Sequence, residues 1–366
     1  MRKILFISAF PPGNKTAGQN YTAQLLKDIS SSYEVDLIYW SYPGHSAIVP
    51  PEVKVLDEVK LTLWRKVLST LSLFLLFPLF TARFNLRMLK RLSAIASSYD
   101  ILYFDFSQVF VYSLFIKHPC KVFMCHDVIA QKFARKRFSG LFLWNVKMTE
   151  NLLLRTAAVR ICFSDKDVDY IRQTYGLESE RVSFYLSDLI GRLDTSKIAI
   201  EDFYVFYGAW NRPENYEGLI WFCTEVLPHC DIRCVVVGGG MSQEVRDRIT
   251  SDKVQFTGFV ENPYEYIARS SCLIAPLFQG AGVKVKVIES LACGTPVIGT
   301  DIAAEGIPEL IYGDGRMAMT IVSGAKGFIS AINGFAAPSA ATKAEIKKAF
   351  AEKYSTRDFK TIMKSW

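Results

Sequence analysis

Residues 280–300, GAGVKVKVIESLACGTPVIGT, combine residue types that could bind a diphosphate and a ribose. Two glycines precede a predicted helix from about Val283 to Cys293, so unpaired backbone N–H groups lie at the positive end of a helix dipole, which attracts anions. Lys284 would add a cation in the first turn. Glu289, one to two turns further on, could accept both ribose hydroxyls. This order favours a nucleoside diphosphate site, although an ordinary surface helix with a Lys–Glu pair would show the same pattern.

Further residues lie at positions from which they could face a bound ligand. His126 and Asp127 follow the apolar run KVFMC, and Asp127 could either orient the imidazole or cap the next helix. Gly18 opens a predicted helix whose first N–H groups could face a phosphate or an acceptor. Arg212 lies in a turn, and its planar guanidinium suits phosphate oxygens. The alternatives are a structural histidine, a simple strand-to-helix loop and a solvated turn arginine.

These residues need elements that bring them together, and the sequence predicts parallel sheets covered by helices, because strand-like runs alternate with helical stretches. The first half contains the runs KILFIS, EVDLIYW, DILYFDF, KVFMC and VRICF. The second half contains FYVFYG, IRCVVVGG, VQFTG, CLIAPL, PVIGT and RMAMTIV. We therefore predict an α/β protein with two Rossmann-like doubly wound domains facing a cleft, since ligands of such sheets bind beyond the carboxyl ends of the strands.

The length of the chain, 366 residues, exceeds the usual size of a single core. We expect an amino-terminal Rossmann-like domain over residues 1–186, a linker over 187–201 and a carboxy-terminal Rossmann-like domain over 202–340. Residues 341–366 are predicted to form C-terminal helices that could pack back on the first domain. Four lysines of these helices are expected on exposed positions: Lys343, Lys347, Lys348 and Lys353.

Residues 280–306 resemble the donor-site signature of the retaining glycosyltransferases of family 4, which have the GT-B fold. The matching branch has Gly-x-Gly-[Thr/Val]-[Arg/Lys]-x-Lys-hydrophobic-x-Glu-[Ala/Ser], followed by Gly-x-Pro-Val. The residues that match are Gly280, Gly282, Val283, Lys284, Lys286, Glu289, Ser290, Gly294, Pro296 and Val297, with Glu305 and Gly306 after them. The wider family has a first glutamate that contacts the donor sugar. This chain has Ala281 there, which leaves the identity of the sugar open.

The resemblance implies a nucleotide-sugar site in the carboxy-terminal domain and an acceptor site in the amino-terminal domain. Arg212 and Lys284 would stabilise the leaving diphosphate. His126 would position the sugar, and Glu289 would hold the ribose. The donor-binding positions implied with these four catalytic residues are Gly18, Gly208, Gly239, Phe259, Val260, Gly280, Ala281, Gly282 and Val283.

The activity implied is the transfer of a sugar from a nucleoside-diphosphate sugar to a saccharide acceptor with retention of configuration. The expected acceptor is a lipid-linked saccharide of a bacterial surface polysaccharide such as lipopolysaccharide. We expect no cofactor, no metal and no nucleic acid, since cations at the helix start could replace a metal and Gly238-Gly239-Gly240 lacks the full dinucleotide fingerprint. A nucleotide-sugar epimerase of the same fold and a non-catalytic sugar-nucleotide-binding relative are the alternatives.

Residues 60–92 carry seven basic residues and no acidic ones around an apolar centre. This apolar centre is short for a membrane-spanning helix, and Pro78 would break a helix within it. Basic flanks together with Trp64 favour a segment that lies on an anionic membrane surface. The alternative is a pair of helices packed on the first sheet, with the basic side chains outward.

The composition agrees with a globular protein of a reducing compartment. The formal net charge is +7, and the eight cysteines show no Cys-x-x-Cys spacing. The first apolar run ends at Ser8 and is too short for a secretory signal. We therefore expect a cytoplasmic protein that could attach to the inner face of the plasma membrane through residues 60–92.

Overall fold

The computed structural model of the chain describes residues 1–14, 16–42, 44, 46–61, 73, 75–134, 140–194, 198–280, 282–354 and 358–364. Contacts divide the chain into two compact units, one of Met1–Tyr185 with Thr356–Trp366 and one of Leu186–Ser355. Ala281 and, within the basic segment 60–92, residues 62–72 and 74 lie outside the described residues.

Seven strands form the sheet of the first unit: β1 (Lys3–Ser8), β2 (Glu34–Ser41), β3 (Lys54–Lys60), β4 (Ile101–Asp105), β5 (Lys121–Cys125), β6 (Val159–Cys162) and β7 (Glu180–Arg181). They are parallel and lie in the order β3-β2-β1-β4-β5-β6-β7. The order reverses between β1 and β4, so the carboxyl ends of these two strands border the crevice in which doubly wound sheets bind ligands.

The helices of the first unit cover both faces of this sheet. They are α1 (Ala17–Ile29), α2 (Pro78–Thr81), α3 (Leu86–Ile95), α4 (Ile129–Ala134), α5 (Gly140–Leu154) and α6 (Asp165–Tyr175), with 3₁₀ helices at Ala96–Ser98 and Ser107–Leu114. Because helices shield both faces, β4 is buried along its whole length, which explains why the central strands are continuous apolar runs in the sequence.

The second unit repeats the design. Its strands are β8 (Tyr204–Tyr207), β9 (Cys234–Val237), β10 (Val254–Gly258), β11 (Cys272–Ala275), β12 (Val297–Gly299), β13 (Ile311–Tyr312), β14 (Arg316–Met317) and β15 (Met319–Ile321). Six of them form a parallel sheet in the order β10-β9-β8-β11-β12-β15, and β13 pairs with β14 antiparallel. The order reverses here between β8 and β11.

The helices of the second unit are α7 (Asp188–Arg192), α8 (Pro213–Glu225), α9 (Gln243–Asp247), α10 (Pro263–Arg269), α11 (Val285–Ala292), α12 (Asp301–Ala304), α13 (Gly324–Asn333) and α14 (Ala340–Lys353), with a 3₁₀ helix at Leu227–His229. The last helix, α15 (Phe359–Lys364), packs within the first unit. The Phe359 ring meets the edge of Tyr103 at 5.3 Å between centroids, and Lys360 Nζ lies 2.7 Å from Asp28 Oδ1.

The predicted α/β class with two doubly wound parallel sheets is confirmed, and each predicted strand run contains a strand. Two expectations about basic side chains are wrong. Lys343 is only 2% exposed, because its Nζ donates to the Ala268 and Ser270 carbonyls and to Thr295 Oγ1. Arg83, expected outward in the basic segment, is only 8% exposed. In the described part of the chain, no helix has the length and apolar character needed to cross a membrane.

Candidate functional site

The loop between β11 and α11 differs from the sequence prediction. The helix begins at Val285 with Lys284 as its N-cap, not at Val283. Gly280 and Gly282 have φ values of 123° and 70°, which L side chains rarely adopt, so the chain turns through this loop before the helix can start. The N–H groups of Gly282 and Val283 therefore belong to the loop and not to the first helical turn.

Lys284 lies folded over this glycine loop. Its Nζ donates to the Gly282 carbonyl at 2.6 Å and lies 3.6 Å from Glu305 Oε2. The side chains of Lys284 and Glu305 are 11% and 5% exposed. The cation predicted to meet a phosphate thus lies at the helix start in an ion pair with a buried carboxylate.

Glu289 is buried on α11 with a tyrosine as partner. Tyr264 Oη, from α10, donates to Glu289 Oε1 at 2.7 Å, and 9% of Glu289 is exposed. Burial raises the pKa of this carboxyl to about 7, against the hydrogen bond from Tyr264 and the charge of Lys286, which both lower it. The ionisation of the Glu289 carboxyl therefore depends on the groups that surround it.

A second cluster joins Gly208, a predicted donor-binding position after β8, to Lys286 on α11 and Asn215 on α8, which were not among the predicted site residues. Lys286 Nζ donates to Asn215 Oδ1 at 2.7 Å, and burial lowers the pKa of this lysine to about 8. A Cβ at Gly208 would lie 3.0 Å from Lys286 Nζ and 3.1 Å from Asn215 Nδ2, so a larger residue there would press on this pair. The glycine-lysine signature was a signal for Lys286, and Asn215 ends an Arg-Pro-x-Asn turn that resembles one in the family branch, whereas Tyr264 carries no motif that would mark it.

Arg212 lies at the N-cap of α8, with its side chain 44% exposed and Nη1 3.9 Å from Glu214 Oε1. The positive charges of Arg212 and Lys284 both act to lower the pKa of Lys286. The carboxylates of Glu214 and Glu289 act on Lys286 in the opposite direction. The start of α11 therefore has three cations with carboxylates among them, and the cations are the groups that could bind a phosphate.

The glycines after β9 allow close backbone packing at the same edge of the sheet. Gly238 has φ 122°, and a Cβ there would lie 2.0 Å from the Gly208 carbonyl oxygen. A Cβ at Gly239 would lie 3.2 Å from the Cβ of Phe259. Phe259 is 80% exposed, and Val260 follows it with intermediate exposure. The exposed ring beside a glycine turn is a surface on which a flat base could stack.

In the first unit, His126 follows β5 and is held by a carboxylate that the sequence did not reveal. Its Nε2 lies 2.7 Å from Oδ1 of Asp105, which is fully buried at the end of β4. Asp105 Oδ2 also accepts from Ser8 Oγ at 2.9 Å and Thr22 Oγ1 at 2.7 Å. Asp127, the predicted orienting or capping residue, lies instead 3.3 Å from Lys132.

Gly18 and His126 lie together in the first unit. Gly18 is the second residue of α1, and a Cβ there would lie 3.1 Å from His126 Nδ1. The imidazole stacks on Phe106 with 3.6 Å between ring centroids and an interplanar angle of 7°. Phe106 has φ 69°, unusual for a residue with a side chain, and this conformation accompanies the stack. The Nδ1 edge therefore faces the amino end of α1.

A family model described as "Glycosyl transferases group 1" matches residues 201–337. One curated relative is the N-acetylgalactosamine-N,N'-diacetylbacillosaminyl-diphospho-undecaprenol 4-alpha-N-acetylgalactosaminyltransferase of Campylobacter jejuni, 29% identical over 139 residues, or 36% of each chain. The chain spans about a third of the length of the curated relatives it matches.

Solved structures resemble the whole chain. Anabaena HepE in complex with UDP and glucose aligns with a TM-score of 0.66 at 14% identity, covering 100% of this chain and 98% of that one. A glycosyltransferase from Rickettsia africae aligns with a TM-score of 0.62 at 13% identity, covering 100% and 96%. The expected GT-B fold is confirmed, whereas the family branch read from the signature stays a prediction. Residues 201–337, most of the second unit, thus match the group 1 glycosyl transferase model, in a chain whose two units have the fold of GT-B proteins.

Proposed function

We propose that the protein is a retaining glycosyltransferase that moves a sugar from a nucleoside-diphosphate sugar to a lipid-linked saccharide during synthesis of a bacterial surface polysaccharide. The observation that carries this proposal is the arrangement around α11. A buried carboxylate at Glu289 lies on the helix that starts at the ion-paired Lys284, and Lys286 adds a third charged group on the same helix.

This arrangement matches the two ends of a nucleoside diphosphate. The ribose hydroxyls are donors, and an ionised Glu289 is an acceptor that could receive both. The diphosphate is anionic and would lie by the cations Lys284, Lys286 and Arg212. Phe259 and Val260 would hold the base, and Gly208 and Gly239 would let the nucleotide approach the backbone.

The proposed reaction breaks the bond between the anomeric carbon and the diphosphate oxygen, and the electron pair leaves with the diphosphate. A hydroxyl of the acceptor forms the new bond from the face that the diphosphate leaves, and its proton moves to a diphosphate oxygen. Negative charge grows on the leaving group, so preplaced cations lower the barrier. His126 positions the sugar, with its ring direction fixed by Asp105.

Two comparisons support the choice of substrates. The Campylobacter relative is named for transfer to a diphospho-undecaprenol-linked sugar, and the HepE structure contains UDP and glucose. The proposed acceptor is accordingly a saccharide on a lipid diphosphate, and the proposed donor is a nucleoside-diphosphate sugar.

We also propose that the first unit contacts an anionic membrane. Helix α5 adds exposed apolar residues to the surface that residues 60–92 are expected to provide. Trp144, Met148 and Leu152 follow one another at helical spacing and are 60%, 36% and 44% exposed. Asn145 on the same helix donates to the carbonyl of Leu75, within the basic segment 60–92. Three consecutive basic residues, 135–137, precede the helix in the sequence. An apolar stripe beside basic sequence suits an anionic membrane interface.

The test is nucleotide binding. A thermal-shift screen of nucleoside diphosphates and their sugars identifies the preferred base, since a ligand of the native state raises the melting temperature. Glu289→Ala should then raise the dissociation constant of the nucleotide at least about tenfold, because charge-assisted hydrogen bonds to the ribose are lost. Glu289→Gln should retain part of the affinity.

The matched control is Glu225→Ala, which removes an exposed glutamate at the end of α8. It should leave the affinity unchanged. If Glu289→Ala folds and binds the nucleotide as tightly as the parent, Glu289 is not in the site. Turnover without any acceptor would identify an epimerase or a donor hydrolase instead. Binding without turnover on membrane extracts would identify a silent binding protein.

A further inference from the structure

Arg83 lies between α2 and α3, where two hydrogen bonds fix its position. Its Nε donates to the Ala9 carbonyl at 3.2 Å, directly after β1. Its own carbonyl accepts from Tyr112 Oη at 2.7 Å. With 8% of the residue exposed, the guanidinium is fixed at the carboxyl end of β1, where the strand order of the first sheet reverses.

The charge of this guanidinium has no acidic partner. Among the described residues no carboxylate lies within ion-pair distance of Arg83, and the ionisable neighbour that acts on it is the hydroxyl of Tyr42. Burial lowers the pKa of Arg83. Within the same described set, its two terminal nitrogens make no hydrogen bond. A buried cation without a counterion costs stability, so its presence needs another explanation.

Contacts between aromatic rings connect Arg83 with His126, the predicted sugar-positioning residue of the first unit. The guanidinium lies over the Phe10 ring, 5.0 Å from its centroid. Phe10 meets the edge of Phe106 at 4.8 Å, and Phe106 stacks on His126. A row of rings thus joins Arg83 to the imidazole along the edge where doubly wound sheets bind their ligands.

We propose that Arg83 binds an oxyanion of the acceptor, most simply a phosphoryl group, through its two terminal nitrogens. The guanidinium fork matches the paired oxygens of phosphate, and stacking on Phe10 fixes the direction of the fork. The inference rests on the proposed function, and it assigns the anionic group of the proposed acceptor a place beside Arg83, two aromatic rings away from His126.

Binding of inorganic diphosphate to the full chain tests this directly. The nucleoside diphosphate identified in the thermal-shift screen is added at saturation, so that the nucleotide site is filled, and diphosphate is then titrated. Diphosphate should raise the melting temperature of the parent. In Arg83→Met, which keeps the volume without the charge, this rise should be lost, corresponding to at least about tenfold weaker binding.

The matched control is Arg87→Met, an exposed arginine one helical turn further along the chain, which should keep the diphosphate response. Arg83→Lys keeps the charge without the fork and should keep a smaller response, so it also serves if the Met variant does not fold. Malonate replaces diphosphate in a parallel titration, and a response to malonate that Arg83→Met removes identifies a carboxylate as the oxyanion.

Two results would overturn the proposal. One is an equal diphosphate response in Arg83→Met and the parent. The other is a parent that responds to neither anion once the nucleotide is bound, in which case Arg83 only ties the loop after β1. Failure of the nucleotide proposal is distinguishable from both, because nucleotide binding depends on Glu289 and should be unchanged in Arg83→Met.

Discussion

Glu289 holds its proton more tightly than an exposed glutamate does, because burial raises its pKa to about 7. The Tyr264 hydroxyl satisfies one carboxylate oxygen, Oε1, while the proposed ribose would approach the same carboxyl group. Hydroxyl donors stabilise the ionised form, so the nucleotide and the proton compete for this residue.

Nucleotide affinity should therefore depend on pH. Below about pH 7 the free protein carries a protonated Glu289, and this proton must leave before two hydroxyls can donate. Binding should weaken by up to about tenfold for each pH unit below the pKa and level off above it. Isothermal titration calorimetry from pH 5.5 to 8.5 measures this dependence.

The nucleotide's own phosphate titrates near pH 6, so the parent must be compared with a variant. Glu289→Gln shares the phosphate titration and lacks the carboxyl titration. The ratio of the two dissociation constants should change with pH. A constant ratio would contradict ribose binding by an ionised Glu289.

Lys284 and Arg212 should respond differently to substitution, because only one of them is buried in an ion pair. Arg212→Ala should lower turnover and leave the melting temperature unchanged. Lys284→Ala should lower both, since a buried pair that loses one partner is destabilised by about 3–5 kcal/mol. Combining Lys284→Ala with Glu305→Gln should restore the melting temperature and leave turnover low. Release of nucleoside diphosphate from the donor gives the rate, and recovery of turnover in the double variant would show that Lys284 acts only on folding.

The partner of His126 shows why part of the site is hidden in a sequence. Asp127 is adjacent in the chain and was an obvious candidate, yet Asp105, on the neighbouring strand, makes the contact. Side chains at the ends of neighbouring parallel strands meet in space, whereas the side chain after His126 points elsewhere. The position of His126 at the edge of the sheet was predictable from the strand pattern, but its partner required the register between strands.

At the scale of elements, α11 ends before a glycine, the residue type that most often follows a helix. The Gly294 N–H donates to the Leu291 carbonyl, and the Thr295 N–H donates to the Ser290 carbonyl, both at 2.9 Å. These two bonds define a Schellman motif, with Gly294 in the left-handed conformation at φ 78°. The motif lets α14 approach closely, because a Cβ at Gly294 would lie 2.2 Å from the Lys343 carbonyl oxygen.

Gly294→Ala should therefore be costly. The left-handed conformation alone costs an alanine about 1–2 kcal/mol, and displacing the α14 backbone adds a similar amount or more. We expect the melting temperature to fall by about 6–10 °C. The matched control is Gly324→Ala, where φ is 63° and a Cβ meets nothing within 4 Å. A similar fall in both variants would show that backbone conformation, and not contact with α14, sets the cost.

The elements that the sequence missed share a physical cause. In β3 no residue is buried, and the strand lies at the edge of its sheet with charged residues along it. A run of apolar residues arises where a strand is covered on both faces, so an edge strand gives no such signal. The burial of Lys343 was hidden for a related reason, because two of its three acceptors are carbonyls at the end of α10, more than 70 residues earlier in the chain.

At the scale of the whole molecule, the surface of the first unit offers a test of membrane contact. Replacing Trp144 and Met148 by serine should reduce flotation with anionic vesicles, because their exposed apolar area is lost. Replacing Arg87 and Lys90 by glutamine should reduce flotation through charge, by about 1 kcal/mol for each residue, and this effect should shrink in high salt. Arg83 is left unchanged because it is buried.

Ile311→Ser in the second unit is the control, since Ile311 is 51% exposed and lies outside the proposed surface. Its flotation should equal that of the parent. If the parent floats equally well with neutral and anionic vesicles, the basic residues do not act on a membrane. In that case the proposal for sugar transfer is unaffected.

The first unit is discontinuous in the chain, since α15 joins it after the whole second unit. During synthesis the seven strands of the first sheet leave the ribosome early, while Phe359 and Lys360 emerge only after residues 186–355. At about 5–20 residues per second this separation lasts roughly ten to thirty seconds. Over that interval the nascent first unit lacks the ring that covers Tyr103 and the ammonium that meets Asp28. Chaperones would therefore encounter a first unit in which all seven strands have been made but Tyr103 and Asp28 are not yet covered by α15.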